Sequence, residues 1–254
     1  MPRFRLTVAY DGRPYAGWQS QPSGQTVQDT MERAIHKILP DSRIRLSASG
    51  RTDAGVHALG QVVHFDTPAE KTLPPEAWQR ALNAHLPPSI RIMECKVVPD
   101  TFHSRYDATG KTYRYRIWTG GVLPPLEAGL ACHHPRPLIL PALAEACGAL
   151  AGTHDFAGFA AFRGHEKGHE DTVRTLWSVQ PSVQGDVLNL TFHGSGFLYK
   201  MVRLLTAGLL RVAVGREPLP WLMDLLHRRV PGKCPHVAPP DGLYLVHVDY
   251  PAES

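Results

Sequence analysis

The sequence predicts an α+β fold made of two halves of similar kind. Two observations carry this. Residues 4–98 run through strand-like and helix-like stretches in the order β-α-β-β-α-β, which is that of a ferredoxin-like unit. A comparable run of strands and helices follows to Tyr250. The expected division is 1–105 and 106–254, with mainly antiparallel sheets.

Phe4, Leu6, Val8 and Tyr10 alternate with other residues, as a half-buried strand does. Val27, Met31, Ala34, Ile35 and Ile38 recur at helical spacing, so Gln25 to Leu39 is an amphipathic helix ended by Pro40-Asp41. Arg43 to Ser47 alternates and reads as a strand, and Gln61 to Phe65 is β-branched and aromatic. Pro74-Pro75 opens a second helix carrying Trp78, Ala81 and Leu82; Pro87-Pro88 closes it, and Ile90 to Val98 is a strand.

In the second half Thr112 to Trp118 is a strand, followed by a Pro- and His-rich loop from Gly120 to Pro141. Pro141 to Leu150 is a helix, with Leu143, Cys147 and Leu150 on one side. Thr172 to Val179 and Val187 to His193 read as paired strands. Leu198 to Val214 is a long apolar helix, Trp221 to Arg229 a shorter one, and Leu243 to Tyr250 the last strand. The polar stretch Gly164 to Asp171 is expected to be a mobile loop.

At 254 residues and 43% hydrophobic content the chain can bury a large core. A net charge of +4 permits nucleic acid without demanding it. Its distribution says more. Between Phe102 and Trp118, Arg105, Lys111, Arg114 and Arg116 face a single anion, Asp107, and Tyr106, Tyr113 and Tyr115 lie among them. Such a strip suits RNA backbone contact and base stacking, and equally a solvated strand edge. No apolar run approaches transmembrane length, no signal peptide precedes the cysteines, and Cys95, Cys132, Cys147 and Cys234 lack CxxC spacing. They read as reduced thiols of a cytoplasmic protein. Cys132-His133-His134 and His165/His169 lack the second half of a zinc site, so no metal is expected. Gly110-Lys111-Thr112 is not a phosphate loop, because Arg105 stands where that motif needs glycine. Gly194-Ser195-Gly196 lacks the third glycine of a dinucleotide fingerprint and reads as a turn.

The most informative stretch is Gly50-Arg51-Thr52-Asp53-Ala54-Gly55-Val56-His57-Ala58. Its glycines suit a tight turn presenting Asp53 beside the cation Arg51. Spacing alone fits a structural ion pair as well as a catalytic carboxylate. His57 and His64, beside a packed turn, read as structural.

This stretch, continued through Leu59-Gly60-Gln61, resembles the signature loop of the tRNA pseudouridine synthase A family. Tyr10-Asp11-Gly12 with Tyr15-Ala16-Gly17-Trp18-Gln19 resembles its N-terminal motif. Phe102 to Tyr106 with Lys111 to Tyr115 resembles its central motif. Leu150 to Phe156, Phe197 to Arg203 and Gly242 to Leu245 follow in the family's order. The resemblance spans Phe4 to Tyr250.

The resemblance implies the pseudouridine synthase fold, with two ferredoxin-like halves flanking a basic catalytic cleft. It implies isomerisation of uridine to pseudouridine at positions 38, 39 and 40 of the tRNA anticodon stem-loop, without cofactor, by a homodimer that embraces tRNA. Asp53 would be the nucleophile, Arg203 its ion-pair partner, and Tyr113 the ring stacked on the target uracil. Arg51 would contact RNA or extrude the base, Leu245 would pack beneath it, and Arg105, Lys111, Arg114 and Arg116 would meet the backbone. Two other readings stay open: an RNA-binding module without activity, and a synthase with another RNA target, since residues 164–171 differ from the family pattern.

Overall fold

The computed structural model describes residues 1–42, 44–161, 171–227 and 233–252. In chain order the elements are β1 (Arg3–Tyr10), α1 (Val27–Ile38), β2 (Ser47–Ala48), β3 (His57–Asp66), α2 (Pro75–His85), β4 (Ile90–Val98) and β5 (Gly110–Trp118). Then come β6 (Cys132–His133), α3 (Leu140–Ala149), β7 (Gly152–Asp155), β8 (Val173–Gln184), β9 (Val187–Gly194), α4 (Met201–Ala213), α5 (Leu219–Leu226) and β10 (Leu243–Asp249). The protein is thus α+β. Two compact units form: Met1–Thr109 with Tyr244–Ser254, and Gly110–Leu243. The sequence reading places the break four residues earlier and counts the last strand with the second half; by contact, that strand groups with the first unit.

In the first unit the sheet runs β4-β1-β3-β10, with β2 paired to β3. β1 is antiparallel to both β3 and β4, while β10 runs parallel to β3 through Tyr244↔His57 and Leu245↔Ala58. Phe4, Leu6, Val8 and Tyr10 are all buried, as their alternation predicts. Thr26 caps α1 by accepting the Asp29 N–H, and the helix buries Val27, Met31, Ala34 and Ile35. Trp78 and Leu82 of α2 are fully buried, and Trp78 meets Phe65 edge-on at 5.2 Å between ring centroids.

The expected strand from Arg43 to Ser47 shrinks to Ser47–Ala48. The cause lies on α1: Glu32 accepts the Leu46 N–H at 3.0 Å, so that donor is taken from the ladder. Arg43 lies outside the described residues.

In the second unit the sheet runs β5-β9-β8-β7, antiparallel throughout, with β6 added parallel to β5. A register shift between Leu176 and Ser178 leaves Trp177 outside the regular pairing and exposed. α4 buries nearly all of its surface, including Leu204, Leu205 and Leu209. The stretch from Gly120 to Pro141 is not all loop: β6 pairs with Ile117–Trp118 there. The second short helix spans Leu219–Leu226, earlier than Trp221 to Arg229; residues 228–232 lie outside the described set. So does nearly all of the polar stretch 164–171, of which only Asp171 is described.

Candidate active site

The stretch around Asp53 is a turn held from three sides. The Val56 N–H donates to Asp53 O at 3.1 Å, and Gly55 has φ +78°. A positive φ at the third position is that of a type II turn, which needs glycine. Residues 51–53 then alternate. Thr52 is buried, whereas Arg51 is exposed and Asp53 half-buried. The inward groups are gripped from below. Gln61 Nε2 donates to Gly50 O at 2.9 Å, and Ser49 Oγ donates to Gln61 Oε1 at 2.6 Å. The Tyr10 hydroxyl meets Thr52 Oγ1 at 2.8 Å. Tyr10, Ser49, Thr52 and Gln61 are at most 7% exposed. Buried polar groups of this kind are costly unless joined, and joined they fix one geometry. Burial pushes the Tyr10 phenol up to about 12, so it stays a neutral hydrogen-bonding group at pH 7.

A second grip comes from the N-terminal motif. The Trp18 N–H donates to Thr52 O at 3.1 Å, and the Val27 N–H to Gly17 O at 3.1 Å. Gly17 has φ +94°, and a Cβ there would lie 2.7 Å from Thr52 O and 3.1 Å from the Asp53 carbonyl carbon. At Gly12 a Cβ would lie 2.1 Å from Val56 O. Only a glycine fits either place.

The third grip is His57, which is 1% exposed. Its Nδ1 accepts the Gly12 N–H at 3.1 Å, so that nitrogen carries a lone pair. The 3.3 Å approach of Asp11 Oδ1 to the same nitrogen is therefore not an ion pair in this tautomer. Asp11 is instead held by Arg13, whose guanidinium keeps its carboxyl below the usual range. The His57 ring stacks on Tyr244, 4.6 Å apart at 18°. Leu245, next along β10, is fully buried. His57 thus supports the turn, and His64, also buried, meets the Ser104 hydroxyl at 2.9 Å.

In the second unit Tyr113 is 8% exposed and meets Phe197 edge-on at 4.9 Å. Tyr115 is wholly buried and its hydroxyl donates to Pro239 O at 2.7 Å, so it is a core residue. Arg203 lies in the first turn of α4, among the buried Met201, Val202, Leu204 and Leu205. Its Nε donates to Ala238 O at 2.7 Å, and its own carbonyl accepts the Ala238 N–H. Lys200, just before the helix, has φ 59°.

The basic strip divides by face. On β5, Lys111, Tyr113 and Tyr115 share one face, and Arg114 and Arg116 the other. Arg116 is committed to Glu127 at 3.0 Å and to Leu130 O. Arg105 is exposed. Among the described residues no group of three or more His, Cys, Asp or Glu could hold a metal ion.

A family model described as "tRNA pseudouridine synthase" matches residues 6–107 and 146–251. A tRNA pseudouridine synthase A of Akkermansia muciniphila is 48% identical over 260 residues, covering all of this chain and 97% of that protein. The chain belongs to the tRNA pseudouridine synthase A family. Proteins of the same name from Bordetella petrii and Burkholderia mallei are 42% and 41% identical, covering all of this chain and 93% and 91% of their own lengths. A chain of the crystal structure of a Cbf5-Nop10-Gar1 complex aligns with a TM-score of 0.35 at 13% identity, covering 82% of this chain and 45% of its own. The fold assignment to this family rests on the sequence relatives instead. Asp53, Arg203 and Leu245 fall within the matched segments; Tyr113 falls between them.

Several residues that shape the turn carry no chemistry of their own and escaped the sequence reading of the site: Tyr10, Gly12, Gly17, Thr52, Gln61 and Tyr244. The signal was there in Tyr10-Asp11-Gly12 and Gly17-Trp18, but not what these residues touch.

Proposed function

We propose that this chain isomerises uridines 38, 39 and 40 of the tRNA anticodon stem-loop, with Asp53 as nucleophile. As a member of the tRNA pseudouridine synthase A family it is an isomerase acting on tRNA. The observation that carries the role of Asp53 is the alternation of its turn: the fold buries Thr52 and keeps Arg51 and Asp53 on the outer side.

The reaction breaks the N1–C1′ bond of uridine, rotates the uracil, joins C5 to C1′, releases the C5 proton and places a proton on N1. Electrons and atoms balance without redox chemistry or a leaving group, so no cofactor is invoked. A glycosidase would need a second carboxylate and water. One carboxylate suits a single covalent step. Attack at C1′, attack at C6 and a glycal route share one requirement, an ionised Asp53 close to the nucleoside. Arg203 is its ion-pair partner in this reading. Tyr113 holds the detached ring by stacking, and Leu245 serves as an apolar contact for it.

The target uridine must leave its stack, at a cost of a few kcal/mol, roughly. Arg51 assists that extrusion. Arg105, Lys111 and Arg114 offset the cost along the phosphates; Arg116 belongs to the same strip, and its pairing with Glu127 cancels most of its field until phosphate competes for it. The working form in this reading is a cytoplasmic homodimer. Four free thiols suit a reducing compartment, and among the described residues no helix is long and apolar enough to cross a membrane.

Nucleotide-resolution mapping of pseudouridine in unmodified tRNA tests the proposal. Wild type should convert uridines at 38, 39 and 40, and Asp53→Asn none. Conversion only at other positions would refute the address, and conversion by Asp53→Asn would refute the nucleophile.

A further inference from the structure

We propose that Tyr106 is a stacking platform for an unpaired nucleobase of the RNA, separate from the ring that holds the target uracil. The inference rests on the tRNA reading above. Three tyrosines sit in the basic strip, and the structure separates them. Tyr115 is 0% exposed and Tyr113 8%, whereas Tyr106 is 75% exposed. Among the described residues no other phenylalanine, tyrosine or tryptophan comes close; Trp177 follows at 47%.

An exposed tyrosine on a loose loop would mean little. This one is built in. The turn 103–107 is closed in both directions: the His103 N–H donates to Asp107 Oδ2 at 2.8 Å, and the Asp107 N–H to His103 O at 3.1 Å. His103 Nδ1 accepts the Arg105 N–H at 3.1 Å and the Tyr106 N–H at 3.3 Å. The imidazole thus pins the two residues that stand out from the surface.

The ring is also supported from behind. Tyr106 lies against His103, with centroids 4.2 Å apart and planes 32° apart. His103 in turn meets the buried His64 edge-on at 4.7 Å. The neighbouring Phe102 packs on Tyr250 at 5.2 Å, and the Tyr250 hydroxyl donates to Ser104 O. The turn is therefore tied to the core of the first unit, while its tip stays in water.

The contact with His103 covers part of the ring and leaves the rest to water. A flat, fixed, half-covered ring is what a base needs in order to stack without an ordering cost. The Arg105 guanidinium, 5.8 Å from the ring centroid, adds a planar cation that both stacks and meets phosphate. Such a site selects an unpaired base, since bases inside a duplex already have both faces covered. An anticodon stem-loop offers unpaired bases next to its stem.

The test is binding of an anticodon stem-loop RNA and of a blunt stem lacking the loop, by wild type, Tyr106→Phe and Tyr106→Leu, as a function of salt. Tyr106→Leu should weaken stem-loop binding about tenfold, and Tyr106→Phe by less than about twofold. The blunt stem should not distinguish the three proteins. The salt slope should be the same for all, because no phosphate contact is lost. Equal stem-loop affinity for Tyr106→Leu would overturn the proposal, and so would an equal loss with the blunt stem. A changed sedimentation coefficient of Tyr106→Leu would overturn it too, by assigning the ring to a contact between proteins. Tritium release from C5-labelled tRNA by wild type, run in parallel, reports on the enzyme reading separately. Release with unchanged Tyr106→Leu binding sinks only the platform; the tenfold loss without release sinks only the enzyme.

Discussion

Replacing Gly17 by alanine perturbs the Asp53 turn from outside it. The new Cβ would stand 2.7 Å from Thr52 O, 3.1 Å from Ala54 N and 3.1 Å from the Asp53 carbonyl carbon. Relief to ordinary contact at 3.4 Å requires a shift of about 0.7 Å, the difference from 2.7 Å. All three neighbours are backbone, so no side chain can swing aside. The φ of +94° adds its own cost of about 1–2 kcal/mol for a residue with a Cβ. Overpacking adds about 1–3 kcal/mol. The expected loss of stability is therefore about 2–5 kcal/mol, read as a lower urea midpoint at unchanged slope. Misplacing a catalytic group by about 1 Å costs on the order of a hundredfold in rate, so a 0.7 Å shift should cost about tenfold to a hundredfold. The assay is single-turnover tritium release with saturating enzyme, corrected for the folded fraction. A Gly17→Ala protein with wild-type turnover per folded molecule would refute the claim that this contact sets the position of Asp53.

Thr52→Val keeps the shape and removes the hydroxyl that meets Tyr10; it should cost about 1–2 kcal/mol in urea and lower turnover, with Thr52→Ser restoring both. Gly148→Ala makes the same chemical change as Gly17→Ala with the opposite sign. Gly148 is an exposed residue of α3 with open space at its Cβ, so the variant should gain about 1 kcal/mol in urea at unchanged turnover. His64 supplies a pH dependence. Burial lowers its pKa from 6.5 to about 4, helped by the nearby His103 and Arg3 and opposed by Asp66 and Asp107. The unfolded chain binds its proton first, so stability is full above pH 6.5 and falls toward pH 4. About 2 kcal/mol should be gone by pH 5 and about 3 by pH 4, and His64→Gln should flatten that limb of the urea midpoint against pH.

The fold was legible wherever one residue's neighbours in sequence decide its burial. β1, α1, α2 and β4 carry clean periodicities of two or 3.6, and the structure places them within two residues of expectation. β2 was overestimated because a side chain of α1, Glu32, claims the Leu46 N–H, and no local pattern shows that. β6 was missed since two residues beside β5 make too short a signal. β7 lies in a stretch read only as a motif. In the site, Asp53 stood out because glycines and charge mark a turn. Its supports did not, because Gly17, Gln61 and Tyr10 act through contacts across 35, 11 and 42 residues of chain. Lys111, Arg114 and Arg116 looked equivalent in sequence, and only pairing partners and strand faces separate them.

The most direct test of Asp53 as the nucleophile is release of tritium from C5-labelled uridine in unmodified tRNA, with wild type and Asp53→Asn side by side and no cofactor added. Wild type should release tritium stoichiometrically and Asp53→Asn none, with tRNA affinities within about tenfold of each other, or 1.4 kcal/mol. Release by Asp53→Asn at the wild-type rate would contradict that role.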